Sequence, residues 1–384
     1  MITRDIAYIG VDDTDLDLFE SQYIIPNGIS YNSYLIKDEE IAIMDTADNR
    51  KIDEWLGNLR TALDGRTPDY LVVQHMEPDH AGCIAEILEE YPAIKIVASA
   101  RAIQMMPQFF EDKDFSQNTI AVKEGDTLCL GEHTLQFFMA PMVHWPEVMV
   151  TYDKKDKVVF SADGFGKFGA LSHEEDWACE ARRYYFNICG KYGGPVQALL
   201  KKLATLDVEC ICPLHGPILK ENLGYYIGLY DTWSKYDVET EGVFIAYASI
   251  HGGTAAVANV MAEILREKGA KKVSVADLSR DDMAEAIEDA FRMDKMIVAA
   301  ASYDGGVFPV MHDFLHHLQI KAYQKRRVGI IENGSWAPCA GRVMRGMLEQ
   351  MKDVEIAEPM VTILSRMKQS DRAALEALAD AILK

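Results

Sequence analysis

The pattern of apolar and polar positions changes character near residue 240. Before it, short apolar or β-branched runs recur at 33–36, 41–44, 70–73, 94–98, 134–139, 148–152 and 158–161, and each reads as a strand. Amphipathic stretches with helical spacing lie among them at 52–63, 81–90, 102–109, 178–188, 195–206 and 218–233. Gly190, Gly193 and Gly194 separate the fourth helix from the fifth, and Pro195 suits a first helical position. Paired strands followed by helices predict a sheet sandwich with helices outside. Beyond residue 240 strand and helix alternate strictly: 243–247 then 254–268, 272–276 then 281–292, 295–300 then 308–319, 327–331 then 340–352, with a last helix at 371–383. That rhythm predicts a doubly wound parallel sheet. Two domains are expected, 1–240 and 241–384, meeting at the polar stretch 233–242.

Charge divides at the same place. Residues 1–240 carry 21 basic and 40 acidic side chains, residues 241–384 carry 18 and 20, and the whole chain of 384 residues has net charge −21. Such a balance argues against nucleic acid or an anionic membrane surface as the main partner. No apolar run reaches the ~20 residues of a membrane helix, and the start Met1-Ile-Thr-Arg-Asp5 lacks the apolar core of a signal peptide. A cytoplasmic location is expected. The cysteines, Cys83, Cys129, Cys179, Cys189, Cys210, Cys212 and Cys339, are odd in number and include no CxxC pair. Neither a disulfide framework nor a thiolate metal knot is predicted.

The densest chemistry is Val73-Gln-His75-Met-Glu77-Pro-Asp79-His80. Four potential metal ligands fall within six residues, between an apolar strand and a helix, where open α/β sheets place their sites. His75, Glu77 and Asp79 alternate and so face one way on an extended turn, while Pro78 keeps Glu77 out of the helix. His144, Asp163 and His215 each follow a later apolar run. Together these are seven nitrogen and oxygen donors, enough for two metals with three terminal ligands each and one bridging carboxylate. Such donors suit iron, manganese or zinc.

In the second half, the strand at 243–247 runs into Ser249-Ile-His251-Gly252-Gly253-Thr254 and a helix. A Ser/Gly/Thr loop at a helix N-terminus offers N–H groups and hydroxyls to a phosphate. It is neither GxGxxG nor a Walker loop, so dinucleotide and nucleoside-triphosphate readings lose ground. Two further loops end strands of the same sheet: Ser302-Tyr303-Asp304-Gly305-Gly306 and Ser335-Trp336-Ala337-Pro338-Cys339. Their small residues allow close backbone approach to a flat ring, and an aromatic can stack on it.

HxExDH, followed by His, Asp and His at these intervals, resembles the flavodiiron proteins, and the Ser249 loop resembles the SxxGxT phosphate loop of flavodoxins. Residues 28–36, 161–166 and 183–188 extend the likeness. The resemblance implies a metallo-β-lactamase-like αββα sandwich followed by a flavodoxin-like doubly wound parallel sheet. It implies two non-haem irons, one held by His75, Glu77 and His144, the other by Asp79, His80 and His215, with Asp163 bridging. Tyr192 stands where the family often has a tyrosine near the metals. The three loops of the second domain would hold FMN, with Trp336 as the stacking candidate; a second aromatic is missing where Pro338 stands. The implied activity is reduction of dioxygen to water or of nitric oxide to nitrous oxide. The implied electron donor is rubredoxin or a reduced deazaflavin coenzyme, arriving separately because no rubredoxin or flavin-reductase module follows. The implied assembly is a head-to-tail homodimer, or a tetramer of such pairs. Two rivals stand beside this reading: a zinc-dependent hydrolase of the metallo-β-lactamase type fused to a flavodoxin-like domain, disfavoured by Glu77 where the hydrolases have a second His, and a non-catalytic electron carrier. An acidic protein donor is expected to dock on the basic run Lys321, Lys325, Arg326 and Arg327, near the flavin end or one strand length from it.

Overall fold

The short apolar runs of the first half order into two sheets. In the computed structural model, which describes residues 2–111 and 113–384, one sheet runs Ile6–Tyr8, Tyr34–Lys37, Ile41–Met44, Tyr70–Val73, Lys95–Ser99, Thr119–Val122. The other runs Thr127–Cys129, Thr134–Met139, Met149–Asp153, Val158–Phe160, Cys210–Cys212. Alternate side chains face inward: Tyr34, Ile36, Val72 and Val97 of one sheet meet Leu135, Phe137, Met149 and Phe160 of the other in a single buried core. Helices cover the outer faces. Ile52–Leu63 buries Trp55, Leu56, Leu59 and Leu63, the helical apolar stripe.

Two helices differ from expectation. The stretch 81–90 belongs to two helices, Pro78–Ala81 and Ile84–Glu90. The Cys83 N–H turns aside to the Thr46 hydroxyl (3.3 Å) rather than continuing up the first helix. The helix expected from 218 starts at Leu223, because Leu219 pairs with Ile211 in an isolated bridge. Strands Ile29–Tyr31, Thr119–Val122 and Thr127–Cys129 were not expected; at three or four residues, with polar members, they fall below the length that periodicity resolves.

The second half forms a parallel sheet in the order Val273–Asp277, Thr240–Ala248, Met293–Tyr303, Arg326–Asn333, Val354–Ile356. This is the 2-1-3-4-5 order of flavodoxin-like folds. Odd positions of the first strand, Val243 and Ile245, pack on helices Gly253–Glu267 and Arg372–Ile382. Phe244 faces the other way, toward Phe314 (ring centroids 6.3 Å apart) on helix Pro309–Ile320. The edge strand was not expected, because it comes in two pieces, Val354–Ile356 and Val361–Ile363, on either side of Pro359. By compactness the chain forms two units. One comprises residues up to Tyr185 and Gly194–Asp231; the other comprises Phe186–Gly193 and Thr232–Lys384.

The basic run 321–327 is not a free surface patch. Arg326 is buried, and its guanidinium donates to the carbonyls of Tyr236 (2.8 Å), Asp237 (3.1 Å), Gln324 (3.3 Å), Lys325 (3.1 Å) and Phe291. The Lys325 ammonium donates to the Lys235 carbonyl, and Arg327 bonds the Ala381 carbonyl and the Glu355 carboxylate. Arg326 also opens its strand, whereas ligand sites of such sheets lie at the carboxyl ends. The strand's seven steps to Asn333 put the run roughly 23 Å from that end. The run thus lies one strand length from the flavin end, as expected, but the burial of Arg326 takes the centre out of the expected docking patch.

Candidate functional site

The end of strand Tyr70–Val73 is held open by its neighbour. The Asp45 carboxylate accepts from the Gln74 N–H (2.7 Å) and side-chain amide (2.9 Å), and burial pushes its pKa up to about 6 against those bonds. Glu77 caps the helix Pro78–Ala81 by position, yet its side chain makes no capping bond. The carboxylate points instead at His75 Nε2 (3.1 Å) and His144 Nε2 (3.0 Å). A polar helix-start loop would have spent its side chains on capping; this one does not.

Seven predicted residues come together in two adjacent groups. His75, Glu77, His144 and Asp163 form one; Asp79, His80 and His215 form the other. Asp163 lies between them. Its Oδ2 is 3.3 Å from His75 Nε2 and 3.0 Å from His144 Nε2, and its Oδ1 is 3.1 Å from His80 Nε2 and 3.9 Å from His215 Nε2. In the second group, Asp79 Oδ2 is 3.4 Å from His80 Nε2 and 3.3 Å from His215 Nε2. The turn carrying Asp163 is tight: the Ser161 hydroxyl donates to the Gly164 carbonyl, and the Gly166 N–H to the Asp163 carbonyl.

The electrostatics are those of a cation site. Both oxygens of Asp163 and both of Asp79 are buried and have no hydrogen-bond donor. Isolated buried carboxylates are strongly disfavoured unless paired or bound to a metal. Burial opposes charge on His75, but the carboxylates of Asp163, Glu147 and Glu77 outweigh it and hold its pKa well above the ordinary value. His144 is pushed up to about 9 by Asp163 and Glu77 against its own burial. Asp163, though buried, is held well below the usual carboxylate range by His75, His80 and His144. The three carboxylates thus demand positive charge at the points where the four Nε2 atoms converge. The residues fit a pair of metal ions.

Residues that were not foreseen hold the ligands in place. The His75 Nδ1 bonds Glu147 Oε1 (2.8 Å), which also accepts from the Met76 N–H (2.9 Å). The His215 Nδ1 donates to the Ser30 carbonyl (2.7 Å), and the Asn32 amide donates to the carbonyls of Pro213 and Gly216 on either side. The Trp145 indole stands perpendicular to the His75 ring with centroids 5.3 Å apart, and the Phe19 ring likewise to His215 at 5.4 Å. Glu147 had one sequence signal, a lone carboxylate opening the apolar run 148–152. Tyr192 ends the turn Gly190–Tyr192 and belongs to the second unit; its ring meets the Lys191 ammonium at 5.9 Å. One other His/Asp cluster of the first unit, His133, Asp153 and Asp156, is a hydrogen-bonded turn beside the Lys155 ammonium.

The second unit has a cleft of about 600 Å³ at the carboxyl ends of its strands. Of the predicted loop residues, Ser249, His251, Gly253, Thr254, Ser302, Tyr303, Asp304, Gly305, Ser335, Trp336, Ala337 and Cys339 line it. Gly252, Gly306 and Pro338 frame it instead. Gly252 takes the left-handed cap of helix Gly253–Glu267. Gly306 pairs with Tyr303 across the two-residue turn Asp304-Gly305, where both φ angles are positive, as a primed hairpin turn requires. Ser249 Oγ is buried without a partner. The helix cap supplies no side-chain bond, so its first-turn N–H groups face the cleft unclaimed by a side chain. Trp336 is 92% exposed, no core residue, and Tyr303 is 45% exposed. Ser365 and Arg366 complete the wall and were not foreseen. Ser365 enters because the Asn333 amide ties its carbonyl (3.0 Å) to the Thr254 hydroxyl (3.3 Å). An orphaned hydroxyl, a free helix N-terminus and two aromatics beside small-residue loops fit a phosphorylated flat ring system.

Known proteins resemble the chain over its length. The family model described as "ODP family beta lactamase" matches residues 29–216. An uncharacterized protein of Methanocaldococcus jannaschii is 29% identical over 91% of this chain and 89% of its own. The anaerobic nitric oxide reductase flavorubredoxin of Escherichia coli is 28% identical over 88% of this chain and 72% of its own. Among solved structures, rubredoxin oxygen:oxidoreductase of Desulfovibrio gigas superposes with a TM-score of 0.93 at 26% identity, covering 100% of this chain and 97% of that one.

Proposed function

This chain belongs to the flavodiiron protein family, and from that premise we propose that it reduces dioxygen to water, nitric oxide to nitrous oxide, or both. One observation carries the reading: a buried His/carboxylate centre divided by Asp163, in one chain with a cleft suited to FMN. His75, Glu77 and His144 would hold one iron, Asp79, His80 and His215 the other, and Asp163 both. When bound, the two irons supply paired Lewis-acid and redox centres, and FMN supplies their electrons one at a time. The chain's own part is to preorganise the donors. Asp45, Glu147 and Ser30 fix the ligand loops, so little reorganisation accompanies turnover. Trp145 and Phe19 pack against ligand imidazoles and keep bulk water from that side. Imidazole and carboxylate donors, with a carboxylate at position 77, favour iron over the zinc of a hydrolase.

The flavin would lie with its phosphate on Ser249, Thr254 and the N-terminus of helix Gly253–Glu267, and its ring beside Tyr303 and Trp336. A rubredoxin-type protein or a reduced deazaflavin coenzyme would meet the exposed Trp336 edge. A head-to-tail homodimer would bring the flavin of one subunit to the metals of its partner, as the family resemblance implies. Mixing a His80→Ala chain with one carrying Ser249 and Thr254 changes should then restore activity.

Gly253→Ala tests the flavin site. A methyl there would stand 2.4 Å from the Ser365 carbonyl oxygen, closer than a Cβ tolerates. The backbone must shift by a cost of about 1–3 kcal/mol, so FMN affinity should fall roughly tenfold or more. Metal content should not change. Flavin titration and metal analysis of the variant check both. The function itself is tested by reducing the loaded protein anaerobically and adding each gas separately. Consumption of dioxygen, nitric oxide or both, with water or nitrous oxide as product, supports the reading. A fully loaded, reduced protein that consumes neither contradicts it.

A further inference from the structure

The two metal positions are built alike in their ligands and unlike in what stands behind them. His75 is backed by a carboxylate, with Nδ1 2.8 Å from Glu147 Oε1. His215 is backed by a neutral carbonyl, with Nδ1 2.7 Å from Ser30 O. His80 Nδ1 is buried with no partner. Asp163 gives one oxygen to each side, so it does not distinguish them. Each group then has one further carboxylate, Glu77 or Asp79, and Glu147 is a carboxylate bonded to the back of a ligand imidazole on the His75 side.

Glu147 is also built to stay there. Its side chain is fully buried, 72 residues from His75 in sequence, and the same oxygen accepts from the Met76 N–H at 2.9 Å. Its carbonyl accepts from the Ser99 hydroxyl at 2.8 Å. Two donors converge on one oxygen, and the other oxygen has no hydrogen-bond partner. A residue needed only to tie down the loop could be a glutamine, whose carbonyl oxygen accepts both bonds without placing a buried charge. A buried carboxylate is costly, and its presence calls for a use of the charge.

We propose that Glu147 is a positioning residue whose charge makes the two metal positions unequal, strengthening the His75–Glu77–His144 position over the Asp79–His80–His215 position. The physical cause is polarisation. A carboxylate accepting the Nδ1–H raises the donor strength of Nε2 toward a cation, and a carbonyl does so less. The inference rests on the assignment of these groups as metal ligands. It adds that the pair is graded, and it names the residue that grades it.

The test is competition by a chelator for metal in the loaded wild-type protein and in Glu147→Gln, which keeps both acceptor bonds and removes the charge. Wild type should lose its two metals in separate steps. Glu147→Gln should weaken the tighter step by about 10–100-fold, the usual effect of such partners, and leave the weaker step in place. The midpoint potential of the metal centre should rise in the variant, and that of FMN should not. Two wild-type metals that leave in one step of equal affinity overturn the proposal without any variant. So does a Glu147→Gln protein with wild-type affinity and potential, especially where Glu147→Ala is impaired; Glu147 would then only hold the loop. A wild-type protein that binds no metal pair rejects the ligand assignment itself, a distinct outcome.

Discussion

Asp163→Ala is expected to yield a folded protein that keeps its flavin and loses its metal pair. Asp163 alone places an oxygen in each group, 3.0 Å from His144 Nε2 on one side and 3.1 Å from His80 Nε2 on the other. Its removal leaves one carboxylate, Glu77 or Asp79, to each position and nothing to hold two cations close together. Even partners behind the ligands affect metal affinity by 10–100-fold; the shared ligand should lie at or above the top of that range, so turnover should fall by roughly 100-fold or more. Without Asp163 the imidazoles of His75, His80 and His144 can shed their protons and stay buried as neutral groups, so the fold is retained. FMN content should stay at the wild-type level, because the cleft belongs to the other compact unit. Metal and flavin analysis of one preparation checks the prediction; parallel loss of both would mean unfolding.

The second large effect concerns stability. Arg326→Met should destabilise the second unit by about 2–6 kcal/mol, chiefly from the buried carbonyls of Gln324 and Phe291 that it leaves without a donor. Methionine fills similar space but donates nothing. The carbonyls of Tyr236, Asp237, Phe291, Gln324 and Lys325 would lose their donor at once, and each buried orphan costs about 1–3 kcal/mol. Denaturant unfolding followed by flavin fluorescence measures it. Charge reversal at the exposed neighbour Lys325 should cost far less, because its partners sit at the surface. Neither change should alter reduction by a protein donor in whatever protein remains folded.

These two residues also show what the amino-acid sequence disclosed. Asp163 was legible because it follows a strand and sits in a series with two histidines and HxExDH. Strand ends are local features, and short-range pattern finds them. The parallel sheet was legible for the same reason, since each βα step repeats the same local signal. Arg326 was misread because a run of cations looks like surface, and only the fold brings five carbonyls onto one of them. Glu147 and Ser30 escaped notice for a related reason. Their partners lie 72 and 185 residues away, and a single carboxylate or backbone carbonyl has no motif. Ser365 and Arg366 follow a strand of only three residues, Val361–Ile363, too short to announce the loop that completes the cleft. Gly252, Gly306 and Pro338 show the converse: residues adjacent to a site in sequence can shape its backbone without facing it.

The central claim is that one chain holds a pair of irons and a flavin at separate sites. Its most direct test is the metal and flavin content of the purified full chain, expressed with iron available and analysed in the same sample. About two irons and one FMN per chain, with the iron removable by chelator while the flavin stays, is the result expected from seven donors and one cleft. Stoichiometric zinc that iron cannot replace to any catalytic gain, or a chain that binds neither metal nor flavin, would contradict it.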